Sequence, residues 1–102
     1  MIIVFTTVPD TSHAEALAES IVAAKLAACV QILPPMTSVY VWKGNLQKET
    51  ENLLLIKTLR EKYDDLERFI TEHHTYDVPE IVAVDAEKCS GLYHEWIQRV
   101  MG

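Results

Sequence analysis

Leu53-Leu54-Leu55-Ile56 is the segment that most restricts what this chain can fold into. Four consecutive apolar residues running into Lys57-Thr58 read as a buried strand, and in a strand successive side chains point to opposite faces. An unbroken apolar run therefore needs cover on both sides of its sheet, where a sheet with one wet face would show alternation. One layer of helices covers one face only. The second cover comes either from the chain's own C-terminal helix or from the sheet of a partner, and the pattern alone leaves both open.

The other segments alternate between strand and helix signals. Ile2 to Thr7 is β-branched and aromatic and predicts a strand; Pro9-Asp10-Thr11 turns the chain, and Ser12 with Glu15 forms a capping box for a helix. In that helix Ala14, Leu17, Ala18, Ile21 and Ala24 recur at helical spacing. A second strand runs from Cys29 to Leu33, breaks at Pro34-Pro35 and resumes from Ser38 to Trp42, and Lys43-Gly44-Asn45 turns it into the return strand that ends at Thr58. Thr58 and Glu61 suggest another capping box, followed by a stripe of Tyr63, Leu66, Phe69, Ile70 and His73. Val78-Pro79 directs an extended entry into a strand over Glu80 to Val84, and Ser90 caps a last helix with Leu92, Tyr93, Trp96, Ile97 and Val100 inward. The order is βαββαβ plus a C-terminal helix, an α+β ferredoxin-like sandwich, and 102 residues make one domain spanning 1–102.

Charge narrows the partners. Nine Lys and Arg against fifteen Asp and Glu give a net charge of −6, the wrong sign for a phosphate backbone or an anionic bilayer, so neither nucleic acid nor membrane is expected. The apolar opening Met1 to Phe5 has no basic flank and ends far short of a signal or membrane segment, which predicts a cytoplasmic protein. Cys29 and Cys89 form no closely spaced pair and read as free thiols in a reducing compartment.

Five segments taken in order resemble the CutA divalent-ion-tolerance family: Thr6-Thr7-Val8-Pro9-Asp10, Lys25-Leu26-Ala27-Ala28-Cys29-Val30, Tyr40-Val41-Trp42-Lys43-Gly44, Leu54-Leu55-Ile56-Lys57-Thr58 and His74-Thr75-Tyr76-Asp77-Val78-Pro79-Glu80. The resemblance runs from end to end. It implies a ferredoxin-like subunit in a homotrimer built by sheet edges, similar in architecture to PII-type signalling proteins, and a role in tolerance of copper and other divalent cations. The chain departs from the family's usual pattern at Thr75 and Asp77, where many relatives read Pro and Glu, and at Gln31, where many read Asn.

Against that background two sets of side chains are candidates. Cys29, in strand phase with Gln31 and Leu33, points to the face a trimer would bury, and its thiolate suits a soft cation such as Cu(I). His74 opens a polar and aromatic loop that leads into a strand, and imidazole is a common copper and zinc ligand. Cys29 and His74 are therefore the expected metal ligands. The second set is a pocket at a subunit junction, with Lys57 and Glu80 paired across the sheet and Tyr40, Trp42 and Tyr76 as aromatic walls. The same cluster also reads as a structural network that fixes trimer register. No G-x-S-x-G, H-E-x-x-H, Walker or Rossmann motif occurs, so no catalytic residues and no enzyme are expected. The expected protein is a trimer of metal homeostasis with no required cofactor and copper or another divalent cation as its ligand; the alternative is a PII-like signalling or scaffold trimer that binds a small molecule or protein between subunits.

Overall fold

One fourteen-residue strand, β4 (Asn45–Thr58), organises the structure, a computed structural model that describes residues 1–102. At about 3.3 Å per residue β4 alone spans roughly 46 Å, and the molecule measures 45 × 25 × 23 Å. Its inner half pairs antiparallel with β1 (Ile2–Val8) on one side and β2 (Cys29–Ile32) on the other; its outer half pairs with β3 (Met36–Trp42) as a projecting hairpin. Pro34-Pro35 interrupts the ladder between β2 and β3, because proline has no N–H to give it. At the hairpin tip Lys43 and Gly44 both have positive φ, 51° and 79°, as a two-residue primed turn requires.

The sheet order β2-β4-β1-β5, with β5 (Val82–Asp85) antiparallel to β1, is the ferredoxin-like arrangement expected, with α1 (Thr11–Ala23) and α2 (Tyr63–His73) as its helices. A further helix, α3 (Gly91–Met101), ends the chain. Residues directly opposite in the ladders share a face. Ile2, Val4 and Val8 of β1 with Leu54 and Ile56 of β4 form the first face, where Leu17 and Ile21 of α1 and Leu66 and Ile70 of α2 complete the buried core. The second face carries Ile3 and Phe5, Leu53, Leu55 and Lys57, Cys29 and Gln31, and Val82 and Val84.

That second face is only partly covered. Lys57 Nζ lies 5.5 Å from the Tyr93 ring, which brings α3 across the end of the face near β2. Ile97 and Met101 are buried there, apart from the main core, yet Leu92 is 83% exposed and Val100 is exposed too. The expected inward stripe of α3 is thus corrected to Ile97 and Met101, with Tyr93 and Trp96 half-buried. Leu53 and Leu55 are half-buried, and Val82 and Val84 on the edge strand remain 52% and 44% exposed. Val39, Val41 and Leu46 on the hairpin are exposed as well.

Two helix starts differ from the sequence reading. Asp10, not Ser12, caps α1: its Oδ1 accepts from the His13 N–H at 2.9 Å. Thr58 caps nothing, because its hydroxyl is buried and donates to the Leu26 carbonyl at 2.7 Å; a 3-10 turn over Arg60–Lys62 leads into α2 instead. Ser90 does cap α3, accepting from the Tyr93 N–H at 3.2 Å. The last strand begins at Val82 rather than Glu80.

Candidate functional site

A cleft of about 660 Å³ opens between the β3–β4 hairpin and the loop from Thr75 to Glu80. Its hairpin wall follows from the register. Tyr40 pairs with Gln47 and Trp42 with Asn45, so strand alternation puts Tyr40, Trp42, Glu49 and Glu51 on one side of the hairpin. The opposite wall is the loop, which supplies Tyr76, Asp77 and Glu80. None of its eleven lining residues is Lys, Arg or His.

His74 holds the loop in place. One ring nitrogen, Nε2, lies 2.7 Å from the Thr7 carbonyl, and the other, Nδ1, lies 3.0 Å from the Tyr76 backbone nitrogen. A carbonyl accepts and an N–H donates, so the ring is the neutral tautomer protonated on Nε2, with both nitrogens engaged. The His74 and Tyr76 rings then pack with centroids 4.6 Å apart. Tyr76 reaches across the cleft, where its hydroxyl donates to Glu51 Oε2 at 2.8 Å, and Tyr40 does the same to Glu49 Oε2 at 2.9 Å. Burial, and then its bond to the Glu51 carboxylate, push the Tyr76 hydroxyl well above the ordinary tyrosine range. Tyr40 is raised as well, chiefly because its bond to Glu49 favours the neutral phenol.

The structure thus brings Tyr40, Trp42, Tyr76 and Glu80 together and leaves Lys57 out. Lys57 packs against Tyr93 at the other end of β4, and Glu80 is exposed and makes no ion pair, so no Lys57–Glu80 pair forms within one chain. Cys29 and His74 are not neighbours either. Cys29 is opposite Lys57, whereas His74 is bonded to Thr7, opposite Leu53. Four residues along β4 correspond to roughly 13 Å.

The remaining histidines offer no alternative cage. His73 stacks on Phe69 at 4.1 Å with Nδ1 2.8 Å from the Phe69 carbonyl, and His13 Nδ1 lies 2.8 Å from Asp10 Oδ1. His94 on α3 is half-buried. No three His, Cys, Asp or Glu side chains converge as a metal-binding group, so within one chain the residues do not fit a chelated ion. Sequence reasoning missed Glu49 and Glu51; their signal was an i, i+2 acidic pair across the hairpin from Tyr40.

Known proteins share this arrangement. The model of the CutA1 divalent ion tolerance protein family matches residues 2–100. The chloroplastic protein CutA of Arabidopsis thaliana is 43% identical over 97 residues, covering 95% of this chain and 53% of that protein. The divalent-cation tolerance protein CutA of Thermus thermophilus is 37% identical over 100 residues, covering 98% and 97%. The structure of the periplasmic divalent cation tolerance protein CutA from Archaeoglobus fulgidus superposes with a TM-score of 0.96 at 30% identity, over all of both chains. The chain spans about half the length of the plant and mammalian curated relatives it matches, and nearly all of the Thermus one. With the ferredoxin-like sheet, the hairpin and the Thr75–Glu80 loop matched from end to end, the chain belongs to the CutA1 divalent ion tolerance family.

Proposed function

We propose that this protein serves divalent-cation tolerance as a homotrimer that binds a small ligand, in the manner of a PII-like signalling protein, rather than as a metal chelator. The observation that supports this most is the cleft. Tyr40, Trp42, Tyr76 and Glu80 line one recess, whereas Cys29 and His74 stand apart and His74 has no ring nitrogen to spare. The family is non-catalytic, and the cleft's role here is binding without turnover.

Trimer formation is supported by the half-covered second face. Fully burying a valine side chain is worth about 1.5–3 kcal/mol; Val82 and Val84 on that face await cover, and so, separately, do Val39 and Val41 on the hairpin. A sister chain at the sheet edge would also use up open backbone groups that otherwise invite uncontrolled pairing. A second reading keeps the metal. Cys29 is half-buried on that same face, where a sister chain would bring further donors to a copper or other divalent ion. The compartment we propose is the cytoplasm, on its free thiols; the relatives carry names from more than one compartment.

A thermal-shift panel of copper, zinc, manganese and small metabolites on the wild type, Trp42→Ala and Cys29→Ala separates these readings. Stabilisation by a metabolite that Trp42→Ala abolishes supports the cleft. Stabilisation by metal ions alone, lost in Cys29→Ala and kept in Trp42→Ala, overturns it in favour of chelation.

A further inference from the structure

Glu51 is only 6% exposed, yet the Tyr76 hydroxyl is the one donor bonded to it and no cation pairs with it. A carboxylate can accept about four hydrogen bonds, so most of the accepting capacity of Glu51 stays open to the cleft, where this chain supplies no cation to meet it. Glu49, Asp77 and Glu80 line the same cleft, and no basic residue does. The two tyrosines each bond a single carboxylate oxygen, Oε2, which orients Glu49 and Glu51 while leaving the Oε1 atoms without a donor.

Resting on the reading that the cleft is a ligand site, we infer that its ligand is a small organic cation: an ammonium or guanidinium group carried on an apolar stem. The charge of the lining selects a cation, and the geometry selects an organic one. The carboxylates do not converge with one another into a group of three that could hold a metal ion, whereas a hard divalent ion wants about six oxygens around it. Instead they are spread along a recess walled by Tyr40, Trp42 and Tyr76. Aromatic faces attract ammonium and guanidinium groups and pack against methylene stems. Glu51, the most buried carboxylate, is the anchor.

Trp42 reports on occupancy. With only two tryptophans in the chain, Trp96→Phe leaves Trp42 as the one emitter. In that background, agmatine and putrescine titrated at constant ionic strength produce a saturable change in Trp42 fluorescence. Glu51→Gln, whose thermal midpoint is measured alongside to establish that it folds, weakens agmatine binding by about tenfold or more, as loss of a desolvated charge partner does. Tyr76→Phe gives a second arm that keeps the Glu51 charge and removes only its orienting hydroxyl, with a smaller loss. Unchanged agmatine affinity in folded Glu51→Gln overturns the assignment. A response to neutral or anionic metabolites, or to magnesium or zinc, with none to the amines also overturns it but leaves the cleft a ligand site. Silence toward every ligand, as when a basic side chain of a sister chain already fills the recess, defeats both the assignment and the reading beneath it.

Discussion

His74→Ala removes two hydrogen bonds that tie the cleft loop to β1, and the expected effect is on stability before any ligand is added. The imidazole bridges the Thr7 carbonyl and the Tyr76 amide at 2.7 and 3.0 Å. The bond to the Tyr76 amide contributes about 1 kcal/mol net. Thr7 is buried, so its carbonyl is left without a partner, at a cost of about 1–3 kcal/mol for a buried orphan; the Tyr76 amide, on a half-buried residue, can turn to water. The total is about 2–4 kcal/mol, a large share of the roughly 5–15 kcal/mol that holds a domain together. Urea titration of wild type and variant at one chain concentration measures it, with the circular dichroism of the sheet as the probe. Copper titration of the same two proteins is the control, and unchanged binding is expected. A stability loss below about 0.5 kcal/mol would mean that the two bonds do not carry the loop. Loss of a stoichiometric copper site with stability intact would make His74 a metal ligand and refute the structural account.

Three further substitutions follow from local geometry. Thr6 is fully buried beneath the helices and its hydroxyl has no partner; Thr6→Val should raise stability by about 1 kcal/mol in the same urea assay, since a buried unsatisfied polar group is removed at nearly constant shape. Lys25 follows α1 at φ 57°, where the Lys25 and Leu26 N–H groups close the helix end on the Val22 and Ile21 carbonyls. Glycine is the residue this left-handed position favours, so Lys25→Gly should stabilise by about 0.5–1 kcal/mol, read as a higher urea midpoint with unchanged slope. Tyr76 has a raised folded-state pKa, so above pH ~10 the unfolded chain loses its phenolic proton while the folded chain keeps it. That contribution is whole below the unfolded value and is lost as pH rises toward the folded one. Tyr76→Phe should therefore lose less stability than the wild type between pH 9 and 11, and parallel profiles would contradict the burial of that hydroxyl.

What the sequence could and could not say divides along local and long-range lines. Ser90 as a helix cap and the Lys43-Gly44 turn were legible because each depends on residues within a few positions. Thr58 had the same local signature and does something else, since its hydroxyl is taken by the Leu26 carbonyl thirty-two residues away. The Leu53–Ile56 run announced two faces wanting cover, and the structure covers the first with α1 and α2 and the second only in part with α3. In the site, Tyr40, Trp42, Tyr76 and Glu80 were legible as aromatic and polar side chains near turns. Within one chain Lys57 lies apart from Glu80, because the register of β4 puts Lys57 opposite Ile3 and Cys29. Glu49 and Glu51 were passed over because an acidic pair on an exposed hairpin looks like solubility until a loop is known to close over it.

The central claim is that the half-covered second face and the apolar hairpin are joined by sister chains. Sedimentation equilibrium at micromolar concentration tests it most directly. The account predicts a single species with the mass of three 11.6 kDa chains, unchanged on dilution. A stable, folded 11.6 kDa species would contradict it, because α3 would then suffice as the cover for that face.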